Sequence, residues 1–168
     1  MMIDYESLKK IPEIQEKSCF ACGESNPTGL HMHFRTDEER MFSRFVIPET
    51  MVGWDKTVHG GIVSTILDEI MGWSIIYLLR KMGVTRSMNV EFLRPLHAPK
   101  EVTVVGFVSE IRSERDVSIS GEIYSDENVL CARATGDFTV MKPHVAVKLG
   151  IMSATYAEKF APVLERAL

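Results

Sequence analysis

From Gly60 to about Lys81 this 168-residue chain carries a helix-length segment that is apolar on nearly every side. At ~100° per residue, Ile62, Ile66, Ile70, Trp73 and Tyr77 cover one side, with Val63, Leu67, Met71 and Leu78 beside them. Only a narrow strip of Ser64, Thr65, Asp68 and Gly72 is polar or small. A helix of this kind needs other structure around most of its circumference. Gly83 is the expected stop.

Strands supply that surround. Thr85–Leu93, Glu101–Ile111, Asp116–Ser125 and Val129–Met141 are rich in Val, Ile, Phe and Thr and separated by polar turns. Gly106, Gly121 and Gly136 fall once in each of the last three, which predicts bending or close backbone approach. Upstream, Leu30, Met32 and Phe34 alternate with His31, His33 and Arg35, the period of a half-buried strand. Asp37-Glu38-Glu39 then turns the chain into a second strand, Met41–Ile47, which Pro48 ends. A short amphipathic helix is expected over about 4–17, against the preference of Pro12. Another is expected from about Thr155, where Thr155 and Glu158 have capping-box spacing and Tyr156, Phe160, Val163 and Leu164 form a docking face. The expected fold class is α+β, a curved antiparallel sheet wrapped around one long central helix. One domain spans 1–168: an N-terminal helix and Cys-containing turn over 1–29, the core over 30–141, and a C-terminal helical extension over 142–168.

Net charge −4 and the lack of Lys/Arg blocks argue against nucleic acid as a partner. The dense apolar stretch Ser74–Leu79 is too short to span a bilayer, so no membrane is expected. Met1–Glu6 has neither the basic nor the apolar region of a signal peptide, and three cysteines do not suggest a disulfide framework. The expected location is cytoplasmic.

The chemistry concentrates in Val58-His59-Gly60-Gly61, at the mouth of the helix, and in Asp68, further in. Paired glycines at a helix start expose backbone N–H groups to a ligand. A carboxylate in an apolar helix costs several kcal/mol if charged and unpaired, so its presence needs a reason. Together they read as an oxyanion-type donor and a base. Nine residues separate His59 from Asp68, which is ~900° of rotation and ~13.5 Å of rise. One substrate carbonyl cannot meet both within one chain. A two-fold dimer resolves this, the helix start of one chain facing Asp68 of the other.

The order of elements and the His-Gly-Gly-(x)6-Asp stretch resemble the hotdog-fold acyl-CoA thioesterases, in particular the small branch that includes the phenylacetate-pathway type. Cys19-Phe20-x-Cys22-Gly23-x-x-Asn26-Pro27-x-Gly29-Leu30 and Asn89-Val90-Glu91-Phe92-Leu93-Arg94-Pro95 match further segments of that family. The resemblance implies hydrolysis of an acyl-CoA thioester to a carboxylic acid and coenzyme A at a dimer-interface site. It gives Gly60 or Gly61 the role of donor to the thioester oxygen, assisted by the helix dipole and by His59. Asp68 would activate a water or attack the carbonyl itself. Thr85 matches a Ser or Thr that positions the water in some relatives, although Thr is also an ordinary strand former. Related enzymes often carry an Asn six residues before the His; here that position is Gly53. Coenzyme A brings phosphate charge, for which Arg80, Lys81, Arg86, Arg94, Arg112 and Arg115 are candidates, Arg94 foremost as part of a matched segment. No cofactor is expected, coenzyme A being part of the substrate, and the expected assembly is a homodimer or a dimer of dimers. A non-catalytic acyl-CoA-binding or sensing protein is the alternative, followed by a hotdog hydratase or dehydratase.

Cys19-x-x-Cys22, followed by His31 and His33, supplies four potential zinc ligands. His31-x-His33 sits on an expected strand at narrower spacing than structural zinc sites use, so no metal is expected. The segment reads instead as a buried turn fixed by Asn26-Pro27 and flanking the site. Glu69 reads as a polar neighbour or ion-pair partner, and Cys131 as a core strand residue.

Overall fold

The computed structural model describes residues 4–14 and 18–165. A 3-10 turn at Tyr5–Ser7 leads into β1 (Lys9–Lys10), then β2 (Arg35–Thr36) and β3 (Arg40–Val46). A small hairpin follows, β4 (Val52–Trp54) and β5 (Thr57–Val58), and runs directly into α1 (Gly60–Ser74). After α1 come β6 (Met82–Phe92), β7 (Glu101–Ile111), β8 (Asp116–Ser125) and β9 (Leu130–Met141). Three short helices close the chain, α2 (Pro143–Lys148), α3 (Ala154–Glu158) and α4 (Ala161–Leu164).

Seven strands form one antiparallel sheet in the order β1-β2-β3-β7-β8-β9-β6, with β4 and β5 apart from it. The sheet curls around α1, whose Ile66, Leu67, Ile70 and Met71 are fully buried against Val104, Ile119, Ile123 and Val140. Each such side chain stabilises the fold by roughly 1.5–3 kcal/mol relative to exposure. This is the hotdog architecture. Gly106 and Gly121 face each other across β7 and β8, directly beneath the helix. A Cβ at Gly106 would stand 2.5 Å from Ser74 Oγ and 2.8 Å from the Ile70 carbonyl oxygen, so only glycine lets helix and sheet approach this closely.

The helix continues beyond α1 as a π-helical turn, Ile75–Leu79, and stops where Arg80 adopts the left-handed conformation (φ 54°). Gly83, the expected stop, lies inside β6 instead. By length and composition the Gly60–Leu79 helix could cross a membrane, but half of its apolar stretch is buried by the sheet. The burial is one-sided: Gly60 and Gly61 are exposed, and Thr65, Asp68 and Gly72 are half-buried along the open side.

Three terminal expectations are corrected. Residues 4–14 contain the 3-10 turn and β1, with 11–14 in neither, rather than a helix, because Lys9 and Lys10 pair with Thr36 and Arg35 and Pro12 disfavours helix; residues 15–17 of that expected helix lie outside the described residues. Leu30, Met32 and Phe34 are buried as the alternation requires, yet Leu30 and Met32 donate to Phe20 and Ala21 of the cysteine turn instead of entering the sheet. The C-terminal helix is split into α3 and α4, and Ser153 rather than Thr155 caps it, its Oγ accepting from Tyr156 N–H at 3.1 Å. Phe160 and Val163 are buried as expected of the docking face.

Candidate functional site

The β4–β5 hairpin delivers the chain to α1 with His59 as its N-cap residue. His59 Nδ1 accepts the Gly61 N–H at 2.9 Å, and the His59 carbonyl accepts from Ile62 and Val63. Two consequences follow. In the neutral ring the proton sits on Nε2, leaving an outward N–H donor on an exposed side chain. The Gly61 N–H, one of the two expected oxyanion donors, is committed within its own chain. Gly60 N–H finds no acceptor among the described residues and is the donor that remains at the positive end of the helix dipole.

Gly53 of β4 lies against the His59 ring: a Cβ there would stand 3.0 Å from Cδ2 and 3.4 Å from Cβ of His59. A side chain at this position would press on the His59 ring, so glycine lets the hairpin backbone pack directly against it.

Asp68 lies two turns further along α1, half-buried. The Thr85 hydroxyl donates to its Oδ1 at 2.8 Å, so the two candidate residues meet within one chain. A bulge aims Thr85. Thr85 pairs with Phe138 and Ser87 with Asp137, leaving Arg86 as an extra residue in β6. Ser64 and Thr65 contribute no free hydroxyl, each donating to a carbonyl one turn back, Gly60 and Gly61 respectively, at 2.9 Å. Eight residues of helix put Asp68 about 12 Å from Gly60, so the donor and the carboxylate of one chain do not share a carbonyl-sized space.

Beside Gly60 is a cleft of about 230 Å³ whose walls include Val58, Val63, Phe92, Arg94 and Ala132. Phe92 and Ala132 face each other across β6 and β9, and the Phe92 ring packs over Gly60. Neither was picked out from the sequence, although Phe92 lies in the Asn89–Pro95 segment and its alternation with Val90 marks a face. Arg94 is exposed, its Nη1 donating to the Leu130 carbonyl at 3.1 Å. Arg86 and Arg112 are instead tied to Asp116, and Lys81 to the Glu114 carbonyl. Asp116 and Asp137 hold the Arg112 guanidinium charged, its pKa raised. A larger cavity, about 360 Å³, lies under the N-terminal segment; Cys22 and His33 line it, but none of the candidate catalytic or coenzyme A-binding residues does.

Residues 55–132, from the β4–β5 turn into β9, match the family model of the thioesterase superfamily. Over that segment, a little under half of the chain, the sequence is similar to the thioesterase superfamily. The matched residues include His59, Gly60, Asp68, Thr85 and Arg94 and leave out Gly53 and the cysteine turn. An uncharacterized protein of Schizosaccharomyces pombe is 30% identical over 93 residues, 52% of this chain and 53% of that protein, so the chain matches about half the length of its curated relative. Among solved structures, a hypothetical thioesterase protein of Streptococcus pneumoniae with coenzyme A superposes with TM-score 0.61 at 18% identity, covering 66% of this chain and 86% of that one. The E. coli PaaI protein from the phenylacetic acid degradation operon gives 0.60 at 16% identity, covering 67% and 80%. These likenesses establish the hotdog fold.

The cysteine turn is fixed as expected: Asn26 Oδ1 accepts from the Thr28 N–H and hydroxyl, both at 3.0 Å, and Gly29 N–H donates to the Asn26 carbonyl. Its cysteines do not meet His31 and His33. Cys19 faces Glu69, which also accepts from Trp73 Nε1–H at 3.0 Å, while His33 lies near Glu13 and Glu24.

Proposed function

We propose that this chain is an acyl-CoA thioesterase that hydrolyses an acyl-CoA thioester to a carboxylic acid and coenzyme A, working as a homodimer in the cytoplasm. The observation that carries the reading is the hydroxyl-held carboxylate of Asp68, about 12 Å along the same helix from the unengaged Gly60 N–H. The two become one site when the helix start of a second copy faces Asp68. The edge strand β6 supports such an assembly. Among the described residues it pairs only with β9, exposes Val84 and Phe92, and carries Thr85, so a second copy along it would cover this edge. A dimer of dimers is compatible with the same pairing.

In this reading the partner's helix start binds the thioester oxygen through the N–H of its first glycine, with the His59 Nε2–H beside it. Thr85 occupies Asp68 Oδ1, which leaves Oδ2 to take a proton from water. The water oxygen bonds to the carbonyl carbon, and negative charge develops on the oxygen held by the helix N–H. Collapse breaks the C–S bond, and the coenzyme A sulfur leaves with a proton. Arg94, at the mouth of the cleft beside Gly60, is suited to coenzyme A phosphate. The Streptococcus pneumoniae neighbour was solved with coenzyme A, which supports this ligand class.

Gly53 in place of an amide favours one other reading, a binding protein that holds acyl-CoA without turnover. A panel of acyl-CoA substrates with thiol detection separates the two. The thioesterase reading expects release of free coenzyme A that falls by about 10²–10⁴-fold in Asp68→Ala. Tight binding without thiol release would establish the binding protein instead.

A further inference from the structure

The cysteine turn is held against α1 at Glu69, and this contact has the composition of a ligand set. Cys19 Sγ lies 3.8 and 3.7 Å from Glu69 Oε1 and Oε2. One ligand atom from each of Cys19, Cys22 and Glu69 falls within 4.8 Å of the other two. Zinc bonds of ~2.3 Å to sulfur and ~2.0 Å to carboxylate oxygen place tetrahedral ligands about 3.8 Å apart for two sulfurs and about 3.5 Å for sulfur and oxygen. Cys19 and Glu69 already stand at nearly that separation, and Cys22 Sγ lies within 4.8 Å of both.

We propose that Cys19, Cys22 and Glu69 form a binding site for a soft or borderline divalent cation, zinc first, with the fourth position open to solvent. The surroundings are built for it. Trp73 Nε1–H fixes Glu69 Oε1 at 3.0 Å, and Trp73 is itself buried and stacked on Phe34 with ring centroids 4.6 Å apart. An outer-shell donor of this kind orients a ligating carboxylate. The turn is set by Gly23 N–H to the Cys19 carbonyl at 2.9 Å and by Leu30 and Met32 N–H to Phe20 and Ala21, each at 3.0 Å. Cys22 is buried and Cys19 half-buried, which leaves one side for metal to enter.

Three donors that are all negative when deprotonated are suited to a cation, whose binding displaces the thiol protons. His31 and His33 do not complete the set; Glu69, forty-seven residues beyond Cys22, supplies the third donor. A bound metal would clamp the turn to α1 one residue from Asp68.

The test uses the full chain, stripped of metal and kept reduced with a phosphine. Zn²⁺ is titrated in competition with a chromogenic chelator, and Co²⁺ serves as the spectral probe. The expected result is about one zinc per chain and a thiolate-to-cobalt charge-transfer band. Trp73→Phe should weaken binding about tenfold. Glu69→Gln should weaken it at least as much, and Cys19→Ser should abolish the one-per-chain binding, with circular dichroism unchanged. Absence of the cobalt band in the unmutated chain overturns the proposal whatever the variants do. Binding that survives Cys19→Ser but is lost in His33→Ala places the metal at the exposed Glu13, Glu24 and His33 group and overturns it equally.

Discussion

The Thr85 hydroxyl donates to Asp68 Oδ1 across 2.8 Å, joining the edge strand β6 to the middle of the central helix. A hydrogen bond to a charged group contributes roughly 1.5–3 kcal/mol. Thr85→Ala is therefore expected to lower kcat by at least about tenfold with KM little changed, because the bond orients the carboxylate rather than the acyl chain. Thr85→Ser, which keeps the hydroxyl, should recover most of the rate. Steady-state kinetics of the two variants check this, and equal losses in both would remove the hydroxyl from the account.

His59 combines two tasks that substitution separates. His59→Ala removes the acceptor for Gly61 N–H and should lower unfolding free energy by about 1 kcal/mol. His59→Asn supplies another N-cap acceptor and should restore that stability, yet it lacks the Nε2–H and should remain about tenfold low in kcat/KM. Urea unfolding and kinetics on the same two proteins provide both readouts. Full activity in His59→Asn would reduce His59 to a cap.

Gly106→Ala tests the packing of helix on sheet. Its Cβ would meet Ser74 Oγ and the Ile70 carbonyl, and the carbonyl cannot move without shifting α1. A loss of about 2–3 kcal/mol is expected by urea unfolding. An unchanged unfolding midpoint would mean that the helix can lift off the sheet at no cost.

The Cys19 thiol, held at about 5 first by the Cys22 hydrogen bond, predicts a distinctive alkylation profile. Its reaction with iodoacetamide should be nearly flat from about pH 6 to pH 8 and fall toward pH 5, whereas an ordinary thiol would gain about tenfold per unit over that range. The sign for stability follows. The folded thiol ionises more readily than the unfolded one, so its contribution is complete above the ordinary 9.0 and is lost as pH falls through about 5. Peptide-mapped mass spectrometry of the metal-free chain reads the profile, and a steep rise between pH 6 and pH 8 would contradict it.

The elements most legible in the sequence were those with strong periodicity. The central helix, β7 and β8 carry enough Ile, Val and Phe at regular spacing to fix type and position, and Gly106 and Gly121 marked the close approach. The ends were less legible. Residues 4–14 are too few and too mixed to declare a period, and Arg80 ends the helix in the left-handed conformation without a glycine to announce it. Within the site, the wide separation of donor and carboxylate followed from helix geometry alone. The commitment of Gly61 N–H to His59 did not, because it depends on a ring rotamer. The contact of Cys19 with Glu69 joins residues 50 apart in sequence and only the folded chain brings them together.

The central claim, a site shared by two chains, is tested most directly by mixing two inactive variants. Asp68→Ala removes the carboxylate. Gly60→Pro removes the helix-start N–H, and proline suits the first helical position because His59 already has the extended backbone (φ −62°, ψ 136°) that precedes proline. Each variant alone should release almost no coenzyme A. Unfolded together, mixed in equal amounts and refolded, they should form mixed dimers in which the Gly60 N–H of one chain faces the Asp68 of the other. Half of the dimers would carry one intact site of two, giving about a quarter of the unmutated rate. Activity no greater than the sum of the two parents, in a sample containing mixed dimers, would contradict the shared site.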